Sequence, residues 1–202
     1  MLSSKLAFSK RYLLCCSGLE EETLRLYMCV AKKINRPELS SLVVSLGYDS
    51  MKHSKTIKEL LKTIEKPEVK IENCEKTLSE LWKEIKGFSE EILKMDQISD
   101  EEFCQVFKTL AELEDCLSDS YNALLKMKIH QTLANELNKL TPVNPENLMK
   151  IFESIIDDKQ KHREVLMEIG YYFATKESEK AKVDAPVVKY QNPDAWSKPP
   201  VF

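Results

Sequence analysis

A chain of 202 residues, 43% hydrophobic and 31% charged, is long enough to bury one sizeable core, and its net charge of −3 with a pI near 5.8 gives no general attraction for nucleic acid or an acidic membrane. No stretch approaches the ~18 uncharged apolar residues of a membrane span. The run Tyr12 to Cys16 behind Lys10 and Arg11 is too short for a secretory signal, so a cytoplasmic location is expected.

With four glycines in the whole chain and few clusters of turn residues before residue 176, the composition favours long helices over a sheet. Apolar residues at Leu6, Leu13, Leu14, Leu24, Tyr27, Met28 and Ala31 predict a first helix over about 5–35, with Gly18 as its weak point. Arg36-Pro37-Glu38 ends it and opens a second, because proline in a first turn lacks only an N–H that would have no partner there. That second helix is expected to reach Glu65 on Leu39, Val43, Leu46, Ile57 and Leu61. Lys66-Pro67 interrupts it, and a third helix, in an inserted segment 68–95, runs from Cys74 to Met95 with Leu81, Trp82, Ile85 and Ile92 on one side.

Ser99 and Glu102 have the spacing of a capping box and launch a helix that meets no glycine or proline until Pro142. Such a helix would span about 60 Å, so a kink or a protruding end is expected. Thr141 to Pro145 is the next connection, and a last helix runs from Glu146 to Phe173 or beyond. From about residue 176 the chain turns polar and proline-rich, which predicts an extended or disordered tail over 176–202. Its spaced aromatic residues Tyr190, Trp196 and Phe202 are the candidates for binding a protein partner. The six cysteines contain no Cys-x-x-Cys pair and read as reduced apolar fillers, all but Cys74 on buried helices. His130 has no partner pattern and reads as a surface residue.

The two remaining histidines carry a repeat. Asp49 and His53 share the Asp-x-x-x-His spacing of Asp158 and His162, so each pair lies on one helix face. With His53 set on His162, Leu39 falls on Leu148, Val43 on Phe152, Leu46 on Ile155 and Ile57 on Leu166, without a gap. The preceding helices agree too, for Glu20 stands two turns before Tyr27 and Glu114 two turns before Tyr121. Each half then reads Glu, Tyr, a Pro-Glu break, Asp, His, the order expected of duplicated helix pairs.

In these residues the sequence resembles the ferritin-like, rubrerythrin-type four-helix bundles. The resemblance implies an all-α bundle over 1–175 made of two related hairpins, 5–65 and 99–173, with the inserted helix between them. It implies a di-metal centre of iron or manganese, with zinc as a substitute. Glu20 and Glu114 match its single glutamates, and His53 and His162 match the histidines of its two Glu-x-x-His motifs. Tyr27 and Tyr121 match tyrosines beside such a centre.

The glutamates of both Glu-x-x-His motifs are missing, and Ser50 and Lys159 stand in their places. A divalent pair needs about four carboxylates, and a lysine aimed inward opposes it. Asp49 and Asp158, one residue earlier and rotated by roughly 100°, are the candidate replacement carboxylates. Two functions follow. One is a ferritin-like protein with a degenerate site that holds one or two metal ions on Glu20, His53, Glu114, His162, Asp49 and Asp158. The other is a metal-free, non-catalytic scaffold that binds a protein through the tail or the inserted helix, whose exposed apolar stripe would also serve a homodimer. Neither predicts a nucleic-acid or membrane partner.

Overall fold

The computed structural model describes residues 2–64, 74, 78–140 and 142–184. In these the chain is all-α, with six helices. Helices α1 (Leu2–Lys33) and α2 (Pro37–Lys62) are joined by residues 34–36, which leaves room only for an antiparallel neighbour, and they pack along one another. Gly47 lets them approach, since a Cβ there would lie 3.2 Å from Tyr27 Cβ. That contact sets Tyr27 against α2 one turn before Ser50.

Helix α3 (Ser79–Lys94) lies across α1, with the Trp82 ring over Gly18, where an added Cβ would come within 3.0 Å of the indole. The expected weak point of α1 is thus the seat of a buried tryptophan. The part of the inserted helix predicted before Leu78 lies outside the described residues, apart from Cys74.

Helix α4 (Asp100–Lys126) begins with the predicted box: Glu102 N–H donates to Ser99 Oγ at 3.3 Å, and Ser99 N–H donates to the Glu102 carboxylate at 2.8 Å. It does not continue to Pro142. Lys128 takes a left-handed conformation (φ 55°), and a short helix α5 (Ile129–Leu137) sets off in a new direction. A left-handed non-glycine residue costs about 1–2 kcal/mol. The turn offsets this by burying Ile129, Leu133, Ala134 and Leu137. His130, expected at the surface, is buried with that face.

Helix α6 (Pro145–Asp184) pairs along α4 to complete a second hairpin. It includes residues 176–184, so the helix extends into the segment expected to be tail. Tyr190, Trp196 and Phe202 lie outside the described residues. No helix among the described residues is long and apolar enough to cross a membrane.

The cysteine reading needs correction. Cys15 and Cys74 form a disulfide across 59 residues of sequence; Cys74 is buried, and Cys116 is the exposed one. A disulfide fits an oxidising compartment, so the cysteines give no support to the cytoplasmic expectation. Closing a loop of that length should stabilise the fold by about 4 kcal/mol in the chain-entropy account. Urea unfolding with and without dithiothreitol checks this: the midpoint should fall on reduction, and an unchanged midpoint would mean the bond does not restrain the unfolded chain.

Two apolar clusters fill the bundle. One gathers Leu19, Leu26, Val43, Trp82, Phe103 and Phe107; the other gathers Leu13, Ile57, Tyr121, Leu124, Leu133 and Phe152. Between them, on α2 and α6, the apolar positions stop and a buried polar layer begins.

Candidate functional site

Ser50 and His53 come from α2, Lys159 and His162 from α6, Glu20 from α1 and Glu114 from α4, all buried. The three-residue spacings put Ser50 with His53, and Lys159 with His162, on inward faces of facing helices. At the centre lies the Lys159 ammonium. Its Nζ donates to Glu20 Oε2 at 2.8 Å and stands 3.2 Å from Glu114 Oε2, an ionic contact rather than an aligned hydrogen bond. Ser50 Oγ is 3.4 Å away.

The histidines extend this centre outward in two matching arms. His53 Nδ1 is 3.7 Å from Glu20 Oε1, and its Nε2 is 3.1 Å from Asp158. His162 Nδ1 is 3.5 Å from Glu114 Oε1, and its Nε2 is 3.2 Å from Asp49. Each aspartate therefore serves the histidine of the facing helix, not the one four residues along its own. Lys52, which the repeat did not single out, closes the outer end by reaching Asp49 at 2.9 Å and Asp158 at 3.0 Å. Its signal in the sequence was a lysine three residues after Asp49, an ordinary helical spacing.

The tyrosines cross in the same way. Tyr27 Oη donates to Glu114, and Tyr121 Oη donates to Glu20 at 2.9 Å. Two turns separate each tyrosine from the glutamate of its own helix by about 10 Å. Running α1 and α4 in opposite directions brings each tyrosine level with the other helix's glutamate. Burial and the neighbouring carboxylate push both phenols well above the ordinary tyrosine range, so they remain donors.

Charge explains how so polar a layer stays buried. Burial alone would raise the Glu20 carboxyl, but Lys159 and His53 outweigh it and hold the group at about 2. Glu114 is likewise lowered, against burial, by Lys159 and His162. Lys159 is raised in turn, because the two glutamates outweigh the burial that would discharge it. Four carboxylates (Glu20, Glu114, Asp49 and Asp158) surround two ammonium groups and two imidazoles. A carboxylate faces both nitrogens of each ring.

These directions predict acid lability. Glu20 and Asp158 are depressed to about 2, and Glu114 and Asp49 are also lowered, so their stabilisation is complete above the ordinary carboxylate range. It should be lost as pH falls from about 4.5 toward 2, because the unfolded chain takes up those protons first. Melting followed by circular dichroism between pH 6 and pH 2 checks this; a melting temperature flat below pH 4.5 would contradict it.

The residues do not fit a pair of divalent ions. The position between Glu20 and Glu114, which bridging carboxylates would share with metal, is taken up by the Lys159 ammonium. Asp49 and Asp158 stand on the outer side of the histidines. Among the described residues no group of three or more His, Cys, Asp or Glu side chains is placed to hold a metal ion. Comparison with known protein families, with curated proteins and with solved structures finds no match.

Proposed function

We propose that this chain is a ferritin-like bundle of rubrerythrin type in which an ion-pair core centred on Lys159 has replaced the metal centre, and that it works as a non-catalytic scaffold. The observation that carries this reading is the Lys159 ammonium set between the two buried glutamates. One lysine supplies the positive charge that keeps Glu20 and Glu114 ionised in the interior. The tyrosines and histidines then hold the four helices in register through hydrogen bonds and ionic contacts that cross between the hairpins. Such a layer fixes which helices meet, a role attested for buried polar groups elsewhere.

A second reading, a site for a single metal ion, draws on the Nδ1 atoms of His53 and His162, which are buried without a hydrogen-bond partner and face carboxylates. A His₂/carboxylate set suits iron, manganese or zinc, but Lys159 would have to leave the centre first. Elemental analysis of protein purified without chelator, and again after anaerobic Fe(II) loading, separates the two readings. Metal-free protein in both supports the scaffold. Near-stoichiometric metal that disappears in a His53→Ala, His162→Ala double variant overturns it.

A further inference from the structure

Helices α1, α2 and α3 enclose a surface groove of about 690 Å³ that plays no part in the ionic core. Its floor and walls are Leu24, Met28, Tyr48, Met51 and Leu93. Tyr48, Met51 and Leu93 are 56%, 45% and 63% exposed, a concentration of apolar surface that three isolated side chains would not give. Among the described residues every ionisable group on its rim, apart from the Cys29 thiol and the Tyr48 phenol, is basic: Arg25, Lys32 and Lys33. Arg25 shares its charge with Glu22 through a surface pair, and Lys33 donates to the Met95 carbonyl, yet among the described residues no acidic side chain lines the groove.

From Leu24 to Lys33 the groove follows about 14 Å of α1, close to the length of a three-turn helix. We infer that this groove docks an acidic amphipathic helix of a partner protein, its apolar face on Met28, Tyr48, Met51 and Leu93 and its carboxylates against Lys32, Lys33 and Arg25. Charge selects among the occupants. Two copies of this chain paired symmetrically through the groove would set the same three cations against each other. Residues 185–202 carry two lysines against one aspartate, so they do not supply an acidic face. The inference holds whether or not Lys159 closes the core to metal.

The test uses the full chain and a synthetic amphipathic helical peptide with leucine and phenylalanine on one face and glutamate on the other. Versions with glutamine and with lysine in place of glutamate serve as comparisons, and binding is followed by fluorescence anisotropy. The glutamate peptide should bind at least about tenfold more tightly than the glutamine one, with the gap closing at high salt. Lys32→Glu and Leu93→Asp should each weaken it about tenfold, while Lys139→Glu, in the turn just past α5, leaves it unchanged. All three positions are exposed, and circular dichroism checks that the variants fold.

Equal binding of the glutamate and glutamine peptides, no binding of either, or no loss in the groove variants overturns the inference. So does a dimer in sedimentation that Leu93→Asp dissolves, which gives the groove to a second copy. Binding to phosphatidylserine vesicles lost in the same variants, without peptide binding, gives it to a membrane surface and overturns it equally.

Discussion

Lys159→Met should lower stability by about 3–5 kcal/mol at neutral pH, the cost of breaking a buried ion pair from one side. Methionine keeps much of the lysine stem's volume, so the loss reports charge more than packing. Glu20 and Glu114 would be left in the interior without that cation, facing the two histidine rings and the two tyrosine hydroxyls. For a chain of this length the melting temperature should fall by roughly 6–20 °C.

The pH dependence is the sharper signature. In the native protein the glutamates have lowered folded-state values, and acid weakens the fold. Without the ammonium, the largest influence lowering the two carboxyls is gone, so burial should push one of them up until it keeps its proton in the folded state where the unfolded chain has lost it. A raised folded value gives stability that is present at low pH and lost as pH rises. The penalty of the variant should therefore shrink between pH 7 and pH 5. Urea unfolding of both proteins at the two pH values measures it; a loss below about 1 kcal/mol at both would show that Lys159 does not hold the layer together.

The polar layer was partly legible in the sequence because helical spacing is a local property. Two Asp-x-x-x-His motifs and two Glu-to-Tyr intervals of whole turns fix which side chains share a face, and those faces do meet. Partnership across helices is not local. Asp49 looks like the partner of His53 on its own helix, yet both project toward α6, so each meets the group opposite it. The break at Lys128 left no mark either, since lysine is an ordinary helix former; what bends the chain there is the burial of α5 against α1 and α6. His130 was misplaced for that reason. The Cys15–Cys74 bond had no spacing signal at all, because disulfide pairing depends on how an inserted segment lies against α1.

Ser50→Glu combined with Lys159→Glu should turn the ionic core into a di-metal site holding about two divalent ions per chain. Both positions face the centre, since Ser50 Oγ and Lys159 Nζ are 3.4 Å apart and both residues are fully buried. Each stands three residues before a histidine, so the substitutions complete two Glu-x-x-His motifs opposite Glu20 and Glu114. The substitutions also change the sign of the problem. Removing one ammonium and adding two carboxylates leaves the metal-free core with crowded buried negative charge, so the variant should be much less stable than the native protein when apo. Metal then becomes the counter-charge that Lys159 was. Manganese or ferrous iron at about 100 times the dissociation constant should restore roughly 2.7 kcal/mol per site to the variant and leave the native protein unmoved. Metal stoichiometry and melting temperature are measured together, with Lys159→Glu alone as the intermediate case. If the double variant folds yet binds no more metal than the native chain, Ser50 and Lys159 do not occupy the positions of the missing ligands, and the ferritin-like reading of this core fails with them.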